Sequence, residues 1–491
     1  MKFKNIYLQF IILITVLLTP VFASADYSGQ KTNFFVDSDF EKNGGTMVSS
    51  TLRVDSPGAY FYIEDEWYNS LTESEKKEIE STLNSLGIEF INNIYRNLTA
   101  NYGSEWNPGI DKDRKITVLF HQMKENGQGY VRTIDEYEKI LVPMSNQREM
   151  VYLNVETLNS SLLKNYLAHE FTHLIEFNQK EKRTGTAEEV WLNELRAEYS
   201  STLLGYNDSS DEDNYLKKRV STFLNNPFDS LTEWKGEMSD YGVISMFGHY
   251  LADHYGANII LESLRVSSKV GIESINETLT RKGINEKFSD IFADWLIASY
   301  LNDCTANQKY CYKNPNLANL HVIPFNNFIP YTSESTLSVS QTFSNWSANW
   351  QKFSGSNKSL VINFDGKSQA GLKVLYVIRD YSGKYTVKYL TLDDQKKGQL
   401  PLSNLGTDIA SLMIIPFVEN ENISSDIQTH YFYNITISTL NNTTTTPVEN
   451  NNDIKLPFTI DKPLNQMNRE ELLMILLKVI IYLASQGKLQ F

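Results

Sequence analysis

The spacing of apolar residues changes twice along this chain of 491 residues, and this change limits the fold more than any other feature. Residues 26–160 mix short strand-like runs with one helical segment, whereas residues 161–312 carry apolar residues at helical spacing. Residues 313–440 return to strand-like runs separated by turn residues. Because a chain of this length is too long for one core, the sequence predicts a multidomain α+β protein.

The first of these regions is predicted to form an α/β subdomain. Its helix covers Thr72–Thr99, where apolar residues recur at helical spacing, and Thr72 and Glu75 form a capping box at its start. Runs rich in aromatic and β-branched residues predict strands at Ala59–Asp65, Lys115–Phe120 and Glu149–Val155. The last strand directly precedes the next helix, and we expect it to be an edge strand with which an extended peptide can pair.

The regions that follow differ in secondary structure. Residues 161–312 are predicted to be a helical subdomain, and residues 313–440 an antiparallel β-sandwich. A polar linker is predicted at residues 441–455 and an apolar helix at residues 456–491. The run Leu472–Ala484 is too short to cross a bilayer alone. This helix can instead dock on the body, pair with another copy, or bind a membrane interface or cell surface.

The chain begins with the features of a secretory signal peptide over residues 1–25. Lys2 and Lys4 precede the apolar run Ile6–Leu18, and Ala23–Ala25 supplies the small residues of a cleavage site. We therefore expect a secreted protein, either free or associated with the cell surface. The formal net charge of −14 makes the chain unsuited to binding nucleic acid through its phosphates.

The chain has two cysteines, Cys304 and Cys311, in a polar stretch. In an exported protein they can close a small loop by a disulfide, and two free thiols are the alternative. Neither cysteine has a histidine nearby in sequence, so neither is predicted to be a catalytic nucleophile.

The sequence AHEFTH at residues 168–173 is the motif that points to a chemistry. On a helix over Leu162–Asn178, His169 and His173 lie one turn apart on the same side, where both imidazoles can bind one Zn²⁺. Glu170 lies one position around the helix, close enough to reach a water molecule at the metal but poorly placed to be its ligand. The pattern predicts a pair of metal ligands and a general base.

A catalytic zinc site needs a third protein ligand and keeps one coordination position open. The sequence WLNELRAE at residues 191–198 supplies Glu194 on a second predicted helix, Glu188–Leu204. Glu198 lies one turn further on the same face, where its carboxylate can accept the free N–H of a ligand histidine and so fix its orientation. The alternative is that both acids are exposed helix charges.

HEFTH followed by WLNE resembles the gluzincin group of zinc metallopeptidases, and the surrounding segments are most similar to secreted neutral metallopeptidases of the hyicolysin type. The resemblance covers roughly residues 110–300 and implies a thermolysin-like catalytic domain, with a mixed-sheet subdomain and a helical subdomain. It also implies one catalytic zinc held by His169, His173 and Glu194, and a protein or peptide substrate. The interval between His173 and Glu194 is slightly longer than is usual for the group, and Glu198 stands where related enzymes have an aspartate.

Tyr241 is similar in placement to a tyrosine that donates to the transition state in the aminopeptidase branch of the group. A neutral phenol suits that task because it can donate a hydrogen bond to an oxyanion. Core packing of Tyr241 is the alternative role, and His249 and His254 are alternative donors. The G-x-M-E-N loop with which that branch captures a free amine is absent between Arg114 and His169, which favours internal cleavage.

The expected function is that of a secreted zinc metalloendopeptidase in which Glu170 removes a proton from the attacking water. Two alternatives stay open: a surface-binding or adhesion protein with a vestigial metallopeptidase domain, and an aminopeptidase of the same superfamily. The carboxylates of Gly109–Lys115 resemble a Ca²⁺ loop, but the EF-hand ligand spacing and closing glutamate are absent. Two interpretations of this segment stay open: a calcium-binding loop and a simple solvated turn.

Overall fold

The computed structural model describes residues 25–125, 127–207, 214–329 and 336–439, together with Met474. The predicted signal peptide, polar linker and C-terminal helix lie outside this set, except for Ala25 in the predicted signal peptide and Met474 in the predicted C-terminal helix. The chain divides into two units, residues 1–440 and 441–491, and every described residue except Met474 belongs to the first.

The N-terminal part of the first unit contains the strands β1 (Lys31–Phe35), β2 (Met47–Asp55), β3 (Ala59–Glu64), β4 (Ile116–His121), β5 (Gly129–Tyr130) and β6 (Met150–Asn154). They form a six-stranded sheet in the order β1-β2-β3-β4-β6-β5. β3, β4 and β6 run parallel to one another, and the outer strands are antiparallel to their neighbours. The three predicted strands are confirmed as β3, β4 and β6, and their residues are all buried, as is typical of parallel strands covered on both faces.

β6 is an inner strand, so the prediction that it forms the edge of the sheet was wrong. The short strand β5 pairs with β6 through Gly129 opposite Leu153 and Tyr130 opposite Tyr152. The free edge next to the following helix therefore belongs to β5. A two-residue strand that begins at a glycine has too few positions to show alternation in the sequence, which is why it was missed.

The α-helices are α1 (Asp65–Ser70), α2 (Glu73–Glu89), α3 (Arg96–Tyr102), α4 (Leu163–Glu176), α5 (Val190–Leu203), α6 (Tyr215–Asn225), α7 (Met238–Tyr255), α8 (Asn258–Arg265), α9 (Gly271–Arg281) and α10 (Phe288–Leu301). π-Helical turns at Phe90–Tyr95 and Phe177–Lys182 extend α2 and α4, and short 3₁₀ helices lie at Thr133–Glu136, Val155–Asn159 and Pro315–Leu317. The capping box of Thr72 and Glu75 is present at the start of α2. The helices predicted around the two motifs are confirmed as α4 and α5.

The apolar face of α4 decides which way its histidines point. Leu167, Phe171, Leu174 and Ile175 are buried in the main hydrophobic cluster, which also receives side chains from α5 and α7. Burial of each such side chain contributes roughly 1.5–3 kcal/mol, so this face is fixed against the core. Rotation of α4 about its own axis is thereby set, and α5 packs beside it.

The C-terminal part of the first unit contains β7 (Phe325–Ile329), β8 (Thr336–Phe343), β9 (Gln351–Gly355), β10 (Leu360–Asp365), β11 (Leu372–Asp380), β12 (Tyr385–Tyr389), β13 (Lys397–Leu402), β14 (Ile409–Val418) and β15 (Tyr431–Thr439). They form a four-stranded sheet, β13-β10-β15-β8, and a five-stranded sheet, β12-β11-β14-β9-β7. Alternate residues of both sheets share one hydrophobic cluster, as in a β-sandwich. One pair departs from the antiparallel prediction, because β7 runs parallel to β9.

The β-sandwich also packs on the helices. Trp350 donates its indole N–H to the carbonyl oxygen of Leu296 in α10 at 3.0 Å, and the rings of Phe292 and Trp346 meet with centroids 5.2 Å apart. Cys304 and Cys311, in the connection between α10 and the sandwich, are joined by a disulfide. In the part of the chain that the structure describes, no helix is both long and apolar enough to cross a membrane.

Candidate metal centre

His169 and His173 on α4 face Glu194 on α5. His169 Nε2 lies 3.2 Å from Glu194 Oε2, and His173 Nε2 lies 3.7 Å from Glu194 Oε1. Two ligands of one tetrahedral zinc, each about 2.0–2.1 Å from the ion, are about 3.4 Å apart. The spacing of these nitrogen and oxygen atoms therefore suits a single ion shared by the three side chains.

The chemistry of these atoms points the same way. Within the described residues, this is the one set of three His, Cys, Asp or Glu side chains whose ligand atoms all lie within 4.8 Å of one another. Glu194 Oε2 is buried, and His169 Nε2 at 3.2 Å does not reach it with hydrogen-bond geometry, which is uncommon for a buried oxygen and is expected where a cation lies between the two atoms. Two imidazoles and a carboxylate are the ligand types of a catalytic zinc site.

The other ring nitrogen of each histidine faces a second carboxylate. His169 Nδ1 lies 3.4 Å from Glu198 Oε1 but makes no hydrogen bond within the described residues. His173 Nδ1 is hydrogen-bonded to Glu176 Oε2 at 2.8 Å, one turn further along α4. A hydrogen bond of this kind orients a ligand imidazole and fixes its tautomer. Sequence reasoning missed Glu176, although an acid three residues after a histidine on one helix is the signal that could have found it.

Glu198 is itself held by α6. Arg219 donates from Nε to Glu198 Oε2 at 2.6 Å and from Nη2 to Oε1 at 2.7 Å. Tyr215 donates its hydroxyl to Glu198 Oε1 at 2.6 Å. A bidentate arginine and a phenol thus fix the carboxylate that faces His169 Nδ1. Neither residue was predicted, because nothing local in the sequence indicates that α6 packs against this end of α5.

The histidines and acids of the site shift one another's pKa values. Burial alone would lower the pKa of His173, but the Glu194 and Glu176 carboxylates outweigh it and raise the pKa to about 10. Burial alone would raise the pKa of Glu194, yet His173 and His169 hold it below its usual value. Burial raises the pKa of Glu176 against the pull of His173. The carboxylate that faces both imidazoles is therefore kept ionised, the form in which it can bind a metal.

Glu170 lies beside this set and against strand β5. Its side chain is buried, and burial raises its pKa. A Cβ atom at Gly129 would lie 2.8 Å from Glu170 Oε1 and 2.9 Å from the carbonyl oxygen of Tyr152, closer than carbon and oxygen approach without strain. Only glycine lets the backbone of β5 come this close to the carboxyl group.

The three predicted donors are placed very differently. Tyr241, near the start of α7, lines the same cleft, and its ring centroid lies 6.5 Å from that of His169. His249 is buried away from the cleft, with Nε2 at 2.8 Å from Thr202 Oγ1. His254 Nε2 lies 2.8 Å from the carbonyl oxygen of Cys311. Neither alternative donor, His249 or His254, is among the residues that line the cleft, and each ring is hydrogen-bonded elsewhere.

The site lies in a cleft of about 310 Å³ between the β5 edge and the two helices. The walls around the metal-facing residues include Phe40, Tyr130, Val131, Phe177, Val190 and Asn193.

The segment Gly109–Lys115 lies elsewhere and gains no support as a calcium loop. Asp111 Oδ1 accepts the backbone N–H of Asp113, and Asp113 accepts the Tyr60 hydroxyl. Of the described acids and histidines, none in this segment belongs to a set of three with converging ligand atoms.

No family model matches this chain. A curated relative, the neutral metalloprotease ShpI of Staphylococcus hyicus, is 25% identical over 240 residues, which cover 44% of this chain and 50% of that protein. The chain thus spans about half the length of that relative.

Two solved structures match smaller parts of the chain. The pre-peptidase C-terminal domain of collagenase from Bacillus anthracis covers 23% of this chain and 96% of that domain, with 11% identity and a TM-score of 0.17. The periplasmic lysozyme inhibitor PliG of Aeromonas hydrophila covers 24% of this chain and 100% of PliG, with 7% identity and a TM-score of 0.17. The similarity that bears on the metal centre is the one to a metalloprotease, over just under half of this chain.

Proposed function

We propose that this chain is a secreted zinc-dependent endopeptidase of the gluzincin type, with a thermolysin-like catalytic arrangement. The observation that carries the proposal is the approach of both imidazole Nε2 atoms to the Glu194 carboxylate, at 3.2 and 3.7 Å. The similarity to a neutral metalloprotease supports the same class of reaction. A polypeptide substrate follows from that class.

The three ligands in this proposal are His169, His173 and Glu194. When bound, zinc supplies positive charge that polarises the scissile carbonyl and makes a water molecule more acidic. Glu170 accepts the proton of the attacking water and delivers it to the departing amine. Burial raises the pKa of Glu170. Its carboxylate is therefore a stronger base, as removal of a proton from water requires.

Tyr241 is assigned the role of oxyanion donor. Burial, together with the nearby Glu194, raises the pKa of Tyr241 well above its usual value. The phenol therefore stays protonated and can donate a hydrogen bond to the oxygen that gains charge as the carbonyl is attacked. Its ring shares the cleft with Glu170 and His169, within reach of a peptide bound there.

The substrate backbone is assigned to strand β5. As far as the described residues go, β5 is the last strand of its sheet, so its outer edge can pair with an extended peptide. Gly129 places this edge against Glu170, because a side chain there would collide with the carboxyl group. The edge strand and the general base are thus brought together by one glycine.

The reading as an adhesion protein with a vestigial site is less well supported. A vestigial site has no use for a general base, yet Glu170 is present and lines the cleft beside His169 and His173. An aminopeptidase needs a group that captures a free amine, and the sequence lacks that branch's loop. Internal cleavage is the activity that accords with both points.

The test is the variant Glu170→Gln, assayed on an unfolded protein and analysed for bound zinc. We expect the cleavage rate to fall by about 10²–10⁴-fold, the usual worth of a general base, while zinc content stays at the wild-type value. The matched control is Glu156→Gln, since Glu156 is an exposed acid outside the cleft. Wild-type rates in Glu170→Gln would remove Glu170 from the mechanism, and a zinc-loaded wild-type protein that cuts no internal peptide bond would refute the endopeptidase.

A further inference from the structure

The connection between α6 and α7 is buried although it is neither helix nor strand. Asp229, Ser230, Thr232 and Glu233 are all buried polar residues within it. Polar groups in such a position need hydrogen-bond partners from elsewhere in the fold. We call residues 229–235 the bridging loop.

The partners of the bridging loop come from the β-sandwich. The backbone N–H of Leu231 donates to the carbonyl oxygen of Trp346 at 2.9 Å. Ser230 Oγ donates to the carbonyl oxygen of Asn345 at 2.6 Å. The bridging loop is therefore tied to the turn between β8 and β9, more than a hundred residues away along the chain.

Glu233 makes the closest of these connections. Its side chain is buried, and Thr429 donates both its hydroxyl and its backbone N–H to the carboxylate. The backbone N–H of Asn345 donates to Glu233 Oε1 at 3.0 Å. A carboxylate that accepts several N–H and O–H donors in a buried place is held in one position. The β-sandwich supplies all of these donors.

Trp234, the next residue, carries this connection to the catalytic cleft. Its ring meets the ring of Tyr241 edge to face, with centroids 5.0 Å apart and an interplanar angle of 77°. Arg219 lies over the Tyr241 ring at 4.9 Å. The tyrosine ring thus contacts the indole of a residue in the bridging loop and a guanidinium that is hydrogen-bonded to Glu198.

We propose that the β-sandwich positions the catalytic tyrosine: Asn345 and Thr429 hold Glu233, Glu233 fixes the bridging loop, and Trp234 in that loop sets the direction of the Tyr241 ring. The proposal rests on the proposed function, since Tyr241 has its role only in that reaction. Glu233 and Thr429 are positioning residues, because they act through Trp234. The sandwich is then part of the active-site scaffold as well as any binding surface it carries.

The first test is Thr429→Val, which removes the hydroxyl donor and keeps the shape of the side chain. Misplacement of a transition-state donor lowers turnover more than binding, so we expect kcat to fall about tenfold with KM changed less than twofold. Thr429→Ser restores the hydroxyl and should restore kcat. The matched control is Thr407→Val, an exposed threonine of the same sandwich, whose kcat should equal that of the wild-type protein.

The second test combines Thr429→Val with Tyr241→Phe. If the threonine acts through the tyrosine hydroxyl, Thr429→Val lowers kcat no further once that hydroxyl is absent. A second tenfold loss in the double variant would show a general weakening of the fold and would overturn the proposal. Failure of Thr429→Ser to restore kcat would overturn it too.

The third test does not depend on activity. Hydrogen–deuterium exchange of residues 229–241 should be faster in Thr429→Val than in Thr407→Val, because the bridging loop loses a partner. Unchanged exchange would show that the sandwich does not hold the loop. If the wild-type protein cleaves peptides and Glu170→Gln does not, but Thr429→Val has wild-type kcat, this proposal fails alone. If the wild-type protein cleaves nothing, both proposals fail.

Discussion

Two groups of buried acids in this molecule differ in what faces them. Glu194 and Glu198 lie against histidines and an arginine, at distances of 2.6 to 3.7 Å. Glu136, at the end of the 3₁₀ helix Thr133–Glu136, and Glu149, directly before β6, are each 3% exposed. Both carboxylate oxygens of Glu136 are buried without a hydrogen-bond partner among the described residues, and Glu149 accepts the backbone N–H of Ile110.

The two groups of acids also differ in pKa, and this difference decides which carboxyl group can bind a cation. The imidazoles keep the pKa of Glu194 below its usual value despite burial, so this acid carries charge and can bind a cation. Burial raises the pKa of Glu149 to about 8 and that of Glu136 well above its usual value. Glu149, with a pKa of about 8, therefore holds a proton near neutral pH and offers no charge there. The metal centre is thus marked by a buried carboxylate that faces two imidazoles and stays ionised, rather than by a buried acid alone.

The largest effect is expected when the carboxylate that faces both imidazoles is removed. Glu194→Ala removes the carboxylate shared by both imidazoles, so we expect bound zinc to be lost and peptidase activity to fall at least about 10³-fold. Elemental analysis after dialysis, combined with a peptide-cleavage assay, measures both. Glu273→Ala, an exposed acid on α9, is the control. Unchanged zinc content in Glu194→Ala would place the third ligand elsewhere.

The next effect comes from removing the cation that faces Glu198. Arg219→Met leaves a buried carboxylate with its bidentate partner gone, which typically destabilises a protein by about 3–5 kcal/mol. Urea unfolding gives the free energy of unfolding. The matched control is Arg281→Met, which breaks the exposed pair with Glu277 and should cost less than about 1 kcal/mol. Equal losses in the two variants would contradict the assignment of Glu198 as a buried, charged group.

The smallest effect is expected at Glu149, whose pKa burial raises. Burial raises the pKa of Glu149 from 4.5 to about 8. Its contribution to the free energy of unfolding is therefore fully present below pH 4.5 and is lost as the pH rises towards 8. The glutamine of the Glu149→Gln variant cannot ionise, so the variant does not lose this stability as the pH rises. We expect it to be about 1–3 kcal/mol more stable than the wild-type protein at pH 8 and similar to it at pH 4.5.

Urea unfolding at the two pH values measures this difference, and Glu138→Gln, in the exposed loop after the 3₁₀ helix, is its control. A stability gap that is the same at both pH values would show that Glu149 does not titrate on folding.

The parts of the fold that local spacing determines could be predicted from the sequence. The i, i+4 placement of His169 and His173 needs only a helix, and the apolar stripe of α4 predicts that helix. The strands β3, β4 and β6 are long and rich in β-branched and aromatic residues. Glu194 lies near the two histidines because α4 and α5 pack along their apolar faces.

The parts that depend on which elements meet could not be predicted. Arg219 and Tyr215 contact Glu198 from α6, and no periodic pattern encodes that approach. β5 displaces β6 from the sheet edge through a pairing of two residues. β7 runs parallel to β9 because the chain crosses the sandwich between them. Such contacts follow from tertiary packing, which spacing in a single sequence does not specify.

The central claim is that His169, His173 and Glu194 together bind one zinc ion. Anomalous diffraction from crystals of the zinc-loaded protein, collected on both sides of the zinc absorption edge, tests it most directly. We predict one zinc peak about 2.0–2.2 Å from His169 Nε2, His173 Nε2 and a Glu194 carboxylate oxygen. A zinc peak elsewhere in the molecule, or an imidazole pair with no peak beside it in zinc-loaded crystals, would contradict the account.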